Sequence, residues 1–201
     1  VPTALFGRGS IPIHGVGLRI GHDVAHEIRH HDLIGGHHHG LILIDFQEKL
    51  VPVMDHFEAI LPRAQLLLDG AAALRLDVIA TEQYPRGLGA TIPEIAEHLP
   101  MTTPILSKTS FSVFGEPAFR TALESKYRKT VIIAGIETHV CVLQSAFDAL
   151  NAGYQVMLAE DAVTSRKAGD RDAALAAARH AGVCVLSVEA ILFWLLRDAS
   201  N

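Results

Sequence analysis

The sequence predicts an α/β protein in three layers, α/β/α, with a six-stranded parallel sheet covered by helices on both faces. Three observations lead there. Short apolar runs without polar alternation, such as residues 41–44 and 131–134, mark strands buried on both sides. Segments with helical apolar spacing separate these runs, at the length that a parallel crossover needs. Ionisable side chains stand at the carboxyl ends of several runs, where an open parallel sheet keeps its ligand crevice.

With 201 residues, 49% of them hydrophobic and 19% charged, the chain suffices for one well-packed domain and is too apolar for disorder. A formal charge of -5 offers no basic surface to a nucleic-acid backbone, so no nucleic-acid partner is expected. No apolar run reaches bilayer length and no secretory leader pattern opens the sequence, so no membrane partner and a cytoplasmic location are expected. In that setting Cys141 and Cys184 are read as reduced thiols.

Residues 1–40 differ in composition from the remainder of the chain. They are rich in Gly and His, with His22, His26 and His30 four apart and His37, His38 and His39 in a row. They read as an added tail or upstream extension outside the core domain of residues 41–201, and no metal site is assigned to them. The first strand is residues 41–44, with Asp45 at its carboxyl end, followed by Phe46 and Gln47. Asp45 there is placed either for chemistry or for capping and pairing with a nearby loop. Residues 57–74 have an amphipathic helical pattern despite Pro62, and residues 77–80 form a second strand. Its exit loop, TEQYPRGLGAT, contains Tyr84 and precedes a short helix at 92–98.

A third strand at 104–107 is ended by Lys108, repeating the position of Asp45. Phe111 and Phe114 follow, either walling a pocket or packing beneath a loop. After a helix at 117–127, residues 131–134 form the fourth strand, ended by Gly135. Val140, Leu143, Ala146 and Phe147 then recur at helical spacing, and Thr138 is the candidate N-cap. Cys141 thus falls in the first turn, where unpaired N–H groups and the helix dipole favour a thiolate and can bind an oxyanion. The plainer alternative is a small buried residue, as free cysteines usually are. A fifth strand at 154–159 leaves through a polar loop holding Glu160, Asp161 and residues 164–166. A helix at 171–181, a sixth strand at 183–187 with Cys184 in the core, and a last helix at 188–197 complete the chain.

Asp45, Lys108 and Cys141 therefore stand at the carboxyl ends of three different strands and can converge. Their chemistry is coherent: Asp45 as general base, Lys108 orienting it and favouring the thiolate, Cys141 attacking a carbonyl carbon to form a thioester. The segments LILIDFQ, ILSKTSFSVF and AGIETHVCVLQSA, in this order, resemble the isochorismatase-like cysteine hydrolase superfamily over residues 41–198. That resemblance implies a Rossmann-like six-stranded sheet, the triad on Asp45, Lys108 and Cys141, and a cis peptide at Ile136–Glu137. It also implies oxyanion donors at the backbone amides of Glu137 and Cys141. Phe46, Gln47, Tyr84, Phe111 and Phe114 are the expected pocket residues. The metal-binding Asp and His segment of nicotinamidases is missing from TEQYPRGLG, and isochorismatases themselves lack the cysteine. TEQYP and GIE-x-x-x-C resemble the motifs of the isochorismatase domain-containing hydrolases.

The expectation is a homo-oligomeric hydrolase of a small amide or related acyl C–N bond, needing no metal or other cofactor and binding a small-molecule substrate. Two alternatives are a thiol-redox protein and a non-catalytic scaffold of the same fold. Glu137 bears on the choice, because a side chain facing the thiol would raise its pKa.

Overall fold

The computed structural model describes residues 39–125 and 129–199. The histidine tract up to His38, the end of the helix expected to reach Tyr127, and residues 200–201 lie outside the described residues. Six parallel strands form one sheet in the order β3-β2-β1-β4-β5-β6. They are β1 (His39–Ile44), β2 (Asp77–Gln83), β3 (Ile105–Lys108), β4 (Thr130–Ile136), β5 (Gln155–Thr164) and β6 (Cys184–Leu186). The chain builds outward from β1 on one side, then returns to lay β4 on the other. The crevice between β1 and β4 is thus the topological switch point, where such sheets bind ligands.

The sheet divides the core by simple alternation. Leu41 and Leu43 of β1, with Ile132 and Ala134 of β4, face the layer of α1 (Phe57–Ala73), α3 (Pro93–Ala96) and α7 (Val188–Leu196). Ile42 and Ile44, with Val131 and Ile133, face α4 (Pro117–Glu124), α5 (Leu143–Asn151) and α6 (Ala168–His180). One short further helix, α2 (Pro85–Leu88), follows β2. No helix among the described residues is long and apolar enough to cross a membrane.

Several strands exceed their apolar runs. β1 takes in His39 and Gly40, which pair with Thr130 and Val131 of β4. β2 continues through Thr81, Glu82 and Gln83, because these still pair with β1 or β3. β4 does not stop at Gly135. That glycine lies opposite Ile44 with φ 139°, and an added Cβ would stand 2.3 Å from the Ile44 carbonyl oxygen. Only glycine permits both the conformation and the approach. Here too the ladder slips: from Ile133 to Gly135, β4 advances two residues while β5 advances five, from Leu158 to Val163. Glu160 and Asp161, expected in an exit loop, are therefore inside β5, in the irregular stretch that the slip accommodates. Cys184 is half-buried on the edge strand β6, not fully in the core.

Candidate active site

Asp45 follows β1 directly, in a left-handed conformation (φ 57°) that aspartate tolerates better than most side chains. Its carboxylate is fully buried. Oδ1 accepts from Thr81 Oγ1 at 2.8 Å, and Oδ2 lies 2.7 Å from Lys108 Nζ. This second approach is close yet too oblique for a hydrogen bond, so Oδ2 has no aligned protein donor. It is an ion pair with acceptor capacity left over.

Lys108 ends β3 and is only 2% exposed. Its ammonium donates to Gln83 Oε1, to Phe111 O at 3.1 Å and to Ser110 O at 3.3 Å, and it approaches Cys141 Sγ at 3.5 Å. With Asp45, five partners compete for three hydrogens. The sulfur is the most distant claimant.

Cys141 sits in a π-helical turn, Thr138–Val142, that precedes α5. The cap of this turn is Glu137, not Thr138, and Thr138 Oγ1 is buried with no protein partner. An extra residue in a helical turn is a recurrent device at functional sites. The Ile136–Glu137 peptide is cis. Ser145, one turn later, donates to the Cys141 carbonyl at 2.6 Å and accepts from Val113 N at 3.0 Å, joining the cysteine turn to the loop after Lys108.

The thiol is pushed up to about 12 from an ordinary value of 9.0. Burial is the first cause and the Asp45 charge the second. Lys108 pulls downward, more weakly, and the carboxylate also favours the protonated sulfur as its hydrogen-bond acceptor. The expected helix-end thiolate is thus corrected: the sulfur is withdrawn from water, and the cation meant to stabilise it lies closer to Asp45. At neutral pH the sulfur is held as a thiol.

Glu137 does not work against this arrangement. Its Oε2 accepts from Arg166 N at 3.0 Å and from Arg166 Nε at 2.9 Å, so its carboxylate is committed to the segment that follows β5. His139 contacts Ser165 Oγ at 2.9 Å on the same side. Of the expected pocket residues, Tyr84 and Phe111 are half-exposed (55% and 54%) next to Lys108. Tyr84 N donates to Lys108 O at 2.8 Å. The other three are placed elsewhere. Phe46 is buried against Phe57 in the core, and Phe114 packs edge-on against Phe119. Gln47 is buried with its amide spent on Gln83 and Gly89 backbone. Reading the sequence missed Thr81, Gln83 and Ser145. Only Ser145 had a local signal, its i+4 spacing from Cys141. Among the described residues, no group of three or more His, Cys, Asp or Glu side chains is placed to hold a metal ion.

The isochorismatase domain family model matches residues 39–190. The chain belongs to the isochorismatase family. Within it, the chain is similar to mouse isochorismatase domain-containing protein 2A, at 39% identity over 80% of this chain and 76% of the mouse protein. Zebrafish isochorismatase domain-containing protein 2 is 38% identical over 80% of each chain. Among solved structures, a Caenorhabditis elegans protein described as MAR1 ribonuclease superposes with a TM-score of 0.78 at 37% identity, covering 83% of this chain and 85% of the other. YcaC from Pseudomonas aeruginosa, solved with hexane-2,5-diol and covalent acrylamide, gives a TM-score of 0.79 at 26% identity over 84% and 85%. Family membership makes this chain an isochorismatase-like hydrolase.

Proposed function

We propose that this family member cleaves a small amide or related acyl C–N bond through a thioester on Cys141, with Asp45 and Lys108 completing the triad and no metal taking part. The observation that carries the reading is the buried contact of Asp45 Oδ2 with Lys108 Nζ at 2.7 Å, with Cys141 Sγ 3.5 Å from the same nitrogen. Burying such a pair is expensive and is weak evidence of stability, so a chemical role is the better account. In the proposed cycle Asp45 takes the thiol proton as sulfur bonds to the carbonyl carbon. The C–N bond then breaks, and the amine leaves with the proton from Asp45. Water adds to the thioester, giving Asp45 a proton that returns to sulfur as the acid departs. Backbone N–H groups of Glu137 and Cys141 are the proposed oxyanion donors. Tyr84 and Phe111 flank the mouth for a small-molecule substrate.

A thiol near 12 suits this scheme better than redox chemistry, because oxidation follows thiolate character and exposure, and this sulfur has little of either. P. aeruginosa YcaC, which shares this fold at 26% identity, was solved with covalent acrylamide, so the fold can accommodate a small amide. Intact mass spectrometry after incubation with a panel of amides and ureides tests the proposal. The expected result is an acyl adduct with wild type and none with Cys141→Ala, together with loss of turnover. Turnover retained by Cys141→Ala would overturn it. RNA, included because the C. elegans relative is described as a ribonuclease, is expected to stay intact. Self-association belongs to the same reading, and light scattering measures it.

A further inference from the structure

The side chain of Gln83 holds two bonds that the mechanism leaves without a purpose. In the β2–β3 ladder Gln83 is the register partner of Lys108, so the two side chains stand side by side on one face. Its Oε1 accepts from Lys108 Nζ, and its Nε2 donates to Thr109 O at 2.8 Å, so both ends of the amide grip consecutive residues of the neighbouring segment. The Gln83 backbone is itself clamped. Its N–H donates to Gln47 Oε1 at 2.7 Å, and its carbonyl accepts from Gln47 Nε2 at 3.1 Å. Gln47 Nε2 also reaches Gly89 O at 2.7 Å. Two glutamines thus form a rigid bracket behind the lysine.

An amide oxygen is a fitting hold for this cation, because it takes one hydrogen without cancelling the charge. A second hydrogen serves the Ser110 and Phe111 carbonyls, which leaves the third for the gap between Asp45 and Cys141. We propose that Gln83 is a positioning residue for the reaction: it fixes the direction of the Lys108 ammonium and thereby how much of that charge the sulfur feels. The inference rests on the proposed triad but not on the substrate. The charged group facing both the ammonium and the sulfur is Asp45 after β1, and Glu116 before α4 interacts with the ammonium. Glu116 is tied to Thr109 N, Ser110 N and Ser110 Oγ.

The test is the pH profile of iodoacetamide alkylation of Cys141 in the full chain, in a Cys184→Ser background, which needs no substrate. Gln83→Met removes the acceptor at similar volume, so the ammonium turns toward Asp45 and sulfur. Its profile is expected to move to lower pH, with alkylation at pH 8 about three-fold faster for each unit of displacement once the lower nucleophilicity of a more acidic thiol is allowed for. Gln83→Glu draws the ammonium away, and its profile is expected to move the other way by a similar factor. Both variants should lose kcat more than they raise KM on any amide found to turn over. A purely structural Gln83 would lower the melting temperature and leave the Gln83→Met alkylation profile superimposed on wild type, and that result overturns the proposal. Gln83→Leu, which also lacks the acceptor and adds no charge, carries the test if Gln83→Met fails to fold. Directional shifts without amide turnover would uphold the positioning role while sinking the amidase reading.

Discussion

Replacing Asp45 with asparagine separates the two roles of that carboxylate, because it should speed one reaction of Cys141 while stopping another. The side chain keeps its shape and its acceptor for Thr81 Oγ1, but the negative charge beside the sulfur is gone and Lys108 remains 3.5 Å from it. Asp45 is the second cause of the raised thiol, after burial, so its removal should lower the pKa from about 12 without returning it fully to 9.0. Each unit of fall gives about ten times more thiolate, and a Brønsted slope of about 0.4–0.5 takes back roughly three-fold in nucleophilicity. A fall of about two units then makes alkylation at pH 8 about ten-fold faster. Turnover should move oppositely, by about 10²- to 10⁴-fold, since the group that accepts and returns the proton is lost. Iodoacetamide kinetics against pH, beside amide turnover, read both at once. Alkylation unchanged or slower in a folded Asp45→Asn protein would refute the assignment of Asp45 as the base facing the thiol.

Lys108→Met should cost about 3–5 kcal/mol by leaving a buried carboxylate without its cation, seen as a fall in Tm of roughly 10 °C. Above pH 9 the folded state keeps a thiol proton that the unfolded chain gives up, so stability should decline as pH rises from 9.0 toward about 12, by at most about 4 kcal/mol. Denaturant melts of wild type and Cys141→Ala isolate this slope, which the alanine variant should lack. Gly135→Ala should be poorly folded or unfolded by circular dichroism, because its Cβ meets Ile44 backbone 2.3 Å from oxygen at a φ of 139°.

The strands and the convergence of Asp45, Lys108 and Cys141 were legible because each rests on a short-range contrast. An apolar run that ends in a charge marks both a strand and its carboxyl edge, as at Ile44–Asp45 in the buried centre of the sheet and at Ser107–Lys108 on its exposed edge strand. What failed was reading where side chains beyond those edges point. Phe46 and Gln47 follow Asp45 in one motif, yet one drops into the core and the other becomes a backbone clamp for β2. Gln47 finds its partners in Gln83 and Gly89, far along the chain. The polar stretch of β5 misled for a related reason. Glu160 and Asp161 stay inside the strand only because the β4 ladder slips beside them, a property of the pair and not of either segment.

The protonation state of Cys141 depends on distances rather than on residue types. A helix start, a lysine and a cysteine suggest a thiolate, and with the lysine against sulfur and the carboxylate remote that is what they would make. Here the order is reversed. The ammonium is 2.7 Å from the carboxylate and 3.5 Å from sulfur, in a site where burial already penalises the anion. At an effective dielectric of about 20, a unit charge at 3.5 Å is worth about 5 kcal/mol, so moving the cation by an ångström changes the balance by about 1 kcal/mol. A sulfur that stays protonated until a carbonyl carbon arrives is protected from casual electrophiles and oxidants. In the proposed cycle the proton it then yields stays on Asp45, where the leaving amine needs it.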